Sequence, residues 1–407
     1  MARILVTYGW CRTAYAAVHS LAAGGHDVYV CSHLQPSMAG WSRFCIANAQ
    51  VADHVQSPST FVRDVASLVE RWSIDVVLPC HEDSLALRRH ESQLPTDVKL
   101  ACPTLQLLEM GVDKADLTQL AMAAGVKVPE SRFPSDIDEA EHDANEIGFP
   151  VVVKLRRSNS AKGVSIVHDP EALRATLDGP PFVSAMEEAG GFPILQAFLA
   201  GDVVGGCFLA CNGQLTAFFG ERYLRVKSQG MGTSTVREPF FSDDMKCQVE
   251  RLVEALAWEG IGHFDFIESP ETGELSLLEM NPRLWGALNL AQVNGYDFPA
   301  ALVAHTLGES RLDRFFAGVP SSPKRSLWLL GEGIRFLDLL RSRQWREALR
   351  VPLELLGSLR HTRYDDWQWH DPLPLLAEML CYGRSYFRSG GSMNPGAAPV
   401  QDVASDR

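Results

Sequence analysis

Asp265 and Glu279 lie in two short apolar runs, HFDFI and LSLLEM, separated by a stretch rich in Ser, Pro, Gly and Thr, and Asn281 directly follows the second. That pattern predicts a β-hairpin with a loose turn. Side chains alternate across a strand, so Glu279 and Asn281 share one face and Met280 takes the other. Two carboxylates and an amide oxygen converging from paired strands suit a hard divalent cation. Magnesium held by so few protein oxygens takes its remaining ligands from water and nucleotide phosphates. Arg283, just beyond, adds a bidentate donor for a phosphate or carboxylate. The plainer alternative is a solvated hairpin with a turn at Asn281 and Pro282. Against it, the acids interrupt strands apolar enough to be buried.

Other cations stand upstream. Lys114 opens an amphipathic helix (Leu117, Leu120, Ala121, Ala124) that Asp113 or Asp116 can cap and that stops at Gly125. Lys154 ends an apolar strand, Val151 to Val153, that runs into the polar loop SNSAKG and resumes at Val164. A lysine there is expensive to bury without an anionic partner. Ser160 and Gly163 make the loop small enough for backbone N–H groups to approach phosphate oxygens. No GxxxxGK followed by Ser or Thr occurs, which excludes a Walker loop. Residues 194–202, ILQAFLAGD, read as a strand ending at Gly201. Residues 220–238 place Arg222, Arg225, Lys227 and Arg237 around a Gly, Thr and Ser cluster. This is either a solvated face or a loop over a transferring phosphate, where spread negative charge needs cations.

The amino-terminal part reads as a doubly wound βαβ unit: RILVTYGW, RTAYAAVHSLAAGG, HDVYVCS. It lacks GxGxxG, so no dinucleotide is assigned to it. A further strand, IDVVLPCHED, brings Glu82 to a carboxyl end, where open α/β sheets bind ligands. A helix cap by Glu82 or Asp83 is the competing reading. Beyond residue 310 the segments are amphipathic and helical by period, with Leu337, Leu340, Trp345 and Leu349 facing a core or a partner. The last residues, SGGSMNPGAAPVQDVASDR, have the composition of a disordered tail.

The chain has 407 residues, enough for two or three domains. No apolar run approaches a membrane span, and the start has no signal pattern. The 9 cysteines are scattered, as reduced thiols in cytosol would be. A net charge of −13 argues against nonspecific nucleic-acid binding. An acidic nucleotide-binding protein must concentrate its cations locally, and the residues named above are where it can do so.

Acid, then Glu-x-Asn-Pro-Arg, preceded in order by two lysines and a hinge-like strand, resembles the ATP-grasp superfamily, in its branch around carbamoyl phosphate synthetase and related carboxylate-amine ligases. The resemblance spans residue 1 to about 310. It implies an α/β and α+β architecture: a Rossmann-like pre-ATP-grasp domain (1–105), an ATP-grasp domain in two α+β halves (106–310, hinge near 196–202), a helical carboxyl-terminal extension (311–387) and a disordered tail (388–407). Trp367, Trp369, Asp371 and Pro372 resemble a tail of carbamoyl phosphate synthetase-like ATP-grasp proteins.

The resemblance further implies ATP with Mg2+ or Mn2+ as cofactors. Asp265, Glu279 and Asn281 would be the metal ligands, and Lys114 and Lys154 with the loop of Ser160 and Gly163 would hold the phosphates. Backbone at Ala197, Phe198 and Leu199 would read the adenine, Asp202 the ribose, and Gln196, where Glu is usual, would present an acceptor to the adenine amino group. Arg283 with Arg222 or Arg225 would serve catalysis, and Glu82 would contact the substrate. The expected reaction is ADP-forming ligation of a small carboxylate to an amine or thiol through an acyl phosphate. A bicarbonate-using carboxylase or carbamoyl phosphate-type enzyme, and a non-enzymatic ATP-binding regulator, are the alternatives. Small molecules are the expected partners, with no nucleic acid and no membrane, and a homodimer is common among relatives.

Overall fold

The computed structural model describes residues 1–158, 163–179, 182–183, 186, 190–227, 233–318, 321–358 and 362–388. Near the amino terminus, Arg3–Val6 (β1), Asp27–Ser32 (β2), Ala47–Gln50 (β3), Val76–Leu78 (β4) and Lys99–Leu100 (β5) form a parallel sheet in the order β3-β2-β1-β4-β5. Ile4, Leu5, Val6, Val76, Val77 and Leu78 have no exposed surface. That is why these strands are unbroken apolar runs, as expected where helices cover both faces. Strand order reverses between β1 and β4, which places a crevice beyond their carboxyl ends. Tyr8 and Glu82 stand there.

The helices Leu105–Val112 and Lys114–Ala123 lead to an antiparallel sheet of Ser131–Arg132 (β6), Val151–Lys154 (β7), Val164–Val167 (β8) and Ile194–Ala197 (β9), ordered β6-β9-β7-β8. Helices Ile137–Ile147 and Pro170–Leu177 back it, each capped by an aspartate side chain, Asp136 and Asp169. The strand expected over 194–202 is shorter than its sequence suggests. It stops at Ala197, and a new strand begins at Asp202. Gly201 passes so close to the next sheet that a Cβ would stand 2.2 Å from the Glu268 carbonyl oxygen.

The third sheet contains Asp202–Cys211 (β10), Gln214–Val226 (β11), Ser234–Pro239 (β12), Gly260–Glu268 (β13), Leu275–Asn281 (β14), Arg325–Leu327 (β15) and Thr362–Tyr364 (β16). Their order is β14-β13-β10-β11-β12-β15-β16. One face, with Val204, Phe208, Phe264 and Phe266, packs on Met245, Val249 and Leu252 of the helix Asp243–Ala255. On the other, Cys207, Leu209 and Phe219 share a core with Trp285, Phe298 and the helix Arg12–Ala23.

The carboxyl-terminal region is not purely helical. Helices Leu329–Arg341, Trp345–Ser358 and Leu373–Arg388 are present, but β15 and β16 extend the large sheet. Strands of three residues carry too short a period to be read from sequence. Leu337, Trp345 and Leu349 face outward. The buried stripe is instead Leu339, Ala348 and Val351, with Phe336 and Leu340 packed beside it. The tail beyond Arg388 lies outside the described residues. Among the described residues no helix is long and apolar enough to cross a membrane.

Buried charges attach this region to the rest. Asp371 accepts from Ser42 Oγ at 2.6 Å and from the Arg43 N–H at 3.0 Å, and faces His19 Nε2 at 2.9 Å. Asp365 takes Arg12 of the first unit at 3.2 Å and Arg237 of β12. Asp371→Ala leaves three polar groups without their acceptor. The expected loss is about 2–4 kcal/mol, since charge-assisted bonds are each worth about 1.5–3 kcal/mol. Denaturant unfolding of the purified variant checks this, and an unchanged midpoint refutes it.

Candidate active site

Pairing of β13 with β14 sets Asp265 opposite Glu279 and His263 opposite Asn281, with an irregularity just after Asp265. Hairpin, register and shared face agree with the sequence reading. Asn281 Nδ2 donates to Asp265 Oδ2 and Tyr223 Oη to Asp265 Oδ1, both at 3.0 Å. Burial lifts the Asp265 carboxyl above the usual carboxylate range; His263 opposes this and the Glu279 charge reinforces it. Two neighbouring half-buried carboxylates of this kind suit a cation.

Both lysines reach the same cleft. Asp113 caps the helix that starts at Lys114, accepting from the N–H groups of Ala115 and Asp116. Lys114 Nζ stands 3.5 Å from Glu279 Oε2 and donates to the Ser158 carbonyl at 2.6 Å. Lys154, at the end of β7, is 8% exposed. Burial lowers its ammonium to about 8, with Lys114 adding to the fall and Glu279 and Asp265 opposing it. A lysine so placed is poised for an anion.

Arg156 leaves the end of β7 to bond Asp113 and Asp116, and the Lys114 N–H donates to the Arg156 carbonyl. The base of the polar loop is closed by the Leu155 N–H donating to the Gly163 carbonyl at 2.8 Å. Gly163 has φ +67°, and a Cβ there would lie 2.3 Å from Leu155 Cδ1, so this turn requires glycine. Ser160 lies outside the described residues.

At the hinge, Gln196 Nε2 donates to Ser131 Oγ at 3.0 Å, while its buried Oε1 has no partner. Phe198 and Leu199 are exposed apolar side chains beside it, and the Ala197 N–H donates to the Glu130 carbonyl. Asp202 is exposed and sits 3.6 Å from Arg222.

Arg283 arrives from beyond β14. Its Nε donates to Glu82 Oε1 at 2.9 Å and its Nη2 to Asn281 Oδ1 at 3.1 Å. The first unit and the acid cluster are thereby joined. Burial alone would raise the Glu82 carboxyl, but Arg283 and His81 outweigh it and hold it well below the usual range. The cap reading for Glu82 is not what the structure shows: it makes no side-chain cap bond, and Asp83 instead accepts from Thr7 Oγ1 and the His81 N–H.

Arg222 and Arg225 are not brought to this cluster. Arg222 lies opposite Val204, itself opposite Phe266, so it occupies the face away from Asp265, where it pairs with Glu268 at 2.6 Å over the Phe240 ring. Arg225 turns to Glu354 at 2.6 Å and Glu332 at 3.4 Å in the carboxyl-terminal helices. Residues that sequence reasoning passed over stand nearer: Tyr223, His263 and Glu221. Strand parity could have found His263, two residues before Asp265.

Residues 113–198 match the family model for the carbamoyl-phosphate synthase L chain ATP-binding domain. The N-terminal section of the carbamoyl phosphate synthase large chain of Methanopyrus kandleri is 25% identical over 276 residues, covering 64% of this chain and 48% of the relative. The large chain of Rubrobacter xylanophilus is 24% identical over 283 residues, covering 64% of this chain and 26% of the relative. The chain therefore spans at most about half the length of these two curated relatives. Among solved structures, the biotin carboxylase domain of Hydrogenobacter thermophilus 2-oxoglutarate carboxylase, in complex with MgADP, ADP and bicarbonate, superposes with TM-score 0.64 at 16% identity, covering 76% of this chain and 70% of that one. Campylobacter jejuni biotin carboxylase gives TM-score 0.64 at 16% identity, over 76% and 72%.

The chain is similar to the ATP-binding portion of carbamoyl phosphate synthase large chains.

The chemistry of this cleft fits a Mg-nucleotide. Asp265 and Glu279 offer hard oxygens, and the amide oxygen of Asn281 keeps a second lone pair beside the Arg283 bond. The unpartnered oxygen of Gln196 fits the adenine amino group. A triphosphate against Lys154 restores its proton, so binding above pH 8 takes up a proton and binding at pH 6.5 does not. The lysine grip is therefore complete below about 8 and weakens as pH rises through it. Isothermal titration calorimetry of ATP in buffers of different ionisation enthalpy measures this linkage. Proton uptake that persists in Lys154→Met would assign it to another group.

Proposed function

We propose that this ATP-grasp protein is an ADP-forming ligase that activates a small carboxylate as an acyl phosphate and transfers the acyl group to an amine or, less favoured, a thiol. The observation that carries the reading is the meeting of Asp265, Glu279, Lys114 and Lys154 in one cleft, with Arg283 and Glu82 linking it to the crevice of the parallel sheet. Mg2+ held by Asp265, Glu279 and Asn281 would neutralise phosphate charge and hold the triphosphate in line.

The chain's own residues account for the remainder. Lys114 and Lys154 draw the triphosphate into place. A carboxylate oxygen attacks the γ-phosphorus while the bond to the bridging oxygen breaks and ADP leaves. Arg283 uses three N–H donors on Glu82, Asn281 and the Leu284 carbonyl, out of the five a guanidinium has. The others are available to the carboxylate and then the acyl phosphate. Glu82, kept ionised, fixes that guanidinium and lines the crevice from which the nucleophile approaches. The nucleophile's lone pair attacks the acyl carbon and inorganic phosphate departs. The work is positioning and charge neutralisation.

Screening pairs of carboxylates and amines for ADP release with Mg2+ tests the proposal; one pair is expected to stimulate release together and not separately. With that pair, Glu279→Gln should lose about 10²–10³ in kcat, the scale for removing one electrostatic contact to the transition state. Full turnover in that variant would end the assignment. A bicarbonate-using reaction is the second reading, supported by the bicarbonate complex among the structural neighbours. Incorporation of labelled bicarbonate into product would select it.

A further inference from the structure

Beside Asp265, on the same face of the large sheet, three buried side chains from adjacent strands turn toward one point: Cys207 of β10, Glu221 of β11 and His263 of β13. Their sulfur, one carboxylate oxygen and one ring nitrogen lie within 4.8 Å of one another. Cys207 and Glu221 have no exposed surface, and His263 is 2% exposed. Neither oxygen of Glu221 has a hydrogen-bond partner, and neither does Nε2 of His263. The nearest approach of oppositely charged forms is His263 Nε2 to Glu221 Oε1, at 3.4 Å.

Gly205 makes this space. It pairs with Glu221 on one side and Asp265 on the other, and a Cβ there would come 2.4 Å from His263 Nε2 and 3.2 Å from Glu221 Oε1. A carboxylate taken out of water with neither oxygen bonded is costly, and a cation relieves the cost. One thiol, one imidazole and one carboxylate make a mixed S, N, O set, the kind that zinc-class ions take and magnesium does not.

We propose that Cys207, Glu221 and His263 bind a divalent transition-metal ion of the zinc class, at a site beside, and distinct from, the one formed by Asp265, Glu279 and Asn281. Coordination through Nε2 leaves the ring proton on Nδ1, which faces Asp265 Oδ2 at 3.8 Å and Asn281 Nδ2 at 3.5 Å. A carboxylate behind the second nitrogen is the usual setting of a metal-bound histidine. Such an ion ties β10, β11 and β13 together next to Asp265. The other S, N, O cluster among the described residues, Cys211, Glu259 and His305, is a poorer candidate. His305 turns Nδ1 to Cys211 and Nε2 to Glu259, so one ion cannot replace both contacts.

The test is metal analysis of the full chain, purified without chelator or an immobilised-metal column, followed by replacement with Co2+. One ion per chain is expected, with a thiolate-to-cobalt charge-transfer band that disappears in Cys207→Ser and survives in Cys211→Ser. Circular dichroism reports whether each variant folds, and the wild-type measurements stand whatever the variants do. A chain that retains no ion and gives no thiolate band with Co2+ overturns the site and leaves a proton shared by Glu221 and His263. A band lost in Cys211→Ser and kept in Cys207→Ser overturns it equally.

Discussion

Two carboxylates and two ammonium groups share one water-poor cleft, and the fold is arranged around keeping them there. Asp265 and Glu279 oppose each other across a strand pair, and burial disfavours the charge on Asp265. Lys154 is disfavoured in the same way by burial and by Lys114. Each like-charged pair is unfavourable by itself and each is eased by the other. The lysines come from a helix start and from the small sheet, the acids from the large sheet, so several elements must be held to within a few ångströms. Asp113 serves that end twice, by capping the helix of Lys114 and by taking Arg156 from the end of β7.

The second constraint is Arg283. It joins the end of β14 to the crevice of the parallel sheet through Glu82, so the acid cluster and the crevice form one continuous region. Tyr8, stacked on His81 at 4.4 Å, closes the crevice floor next to that pair. A fold of three sheets thus delivers one site at their common boundary, where loops from the carboxyl ends of β1 and β4 meet the β13–β14 hairpin.

Much of this was legible in the residues. HFDFI and LSLLEM are short apolar runs bounded by turn residues, Lys154 ends an otherwise apolar strand, and Asp113 precedes a helical period; each is a local signal, and each element forms where expected. What failed was set by pairing rather than by period. The sequence puts Arg222 and Arg225 in a basic cluster, but register decides which face each occupies, and Val204 and Phe266 claim the face of Arg222. The bond between Glu82 and Arg283 joins residues 201 positions apart, beyond any local reading. β15 and β16 are too short to announce themselves. The strand expected over 194–202 stops at Ala197, and Gly201 instead leads into β10 close against Glu268, a contact set by pairing in the large sheet.

The buried ionic contacts of the carboxyl-terminal region divide the molecule mechanically. Asp365 is gripped by Arg12 from the first unit, by Arg237 from the large sheet and by Asn289 from the short helix Leu288–Val293, and Asp371 is seated on His19, Ser42 and Arg43. None of these partners belongs to the four-stranded sheet of β6 to β9. That sheet is attached at the cleft by Arg156 and Arg157 reaching Asp113 and Asp116 from less buried positions. The smaller sheet is thus tied on by its shallower ion pairs, whereas buried ones clamp the carboxyl-terminal region across the other two.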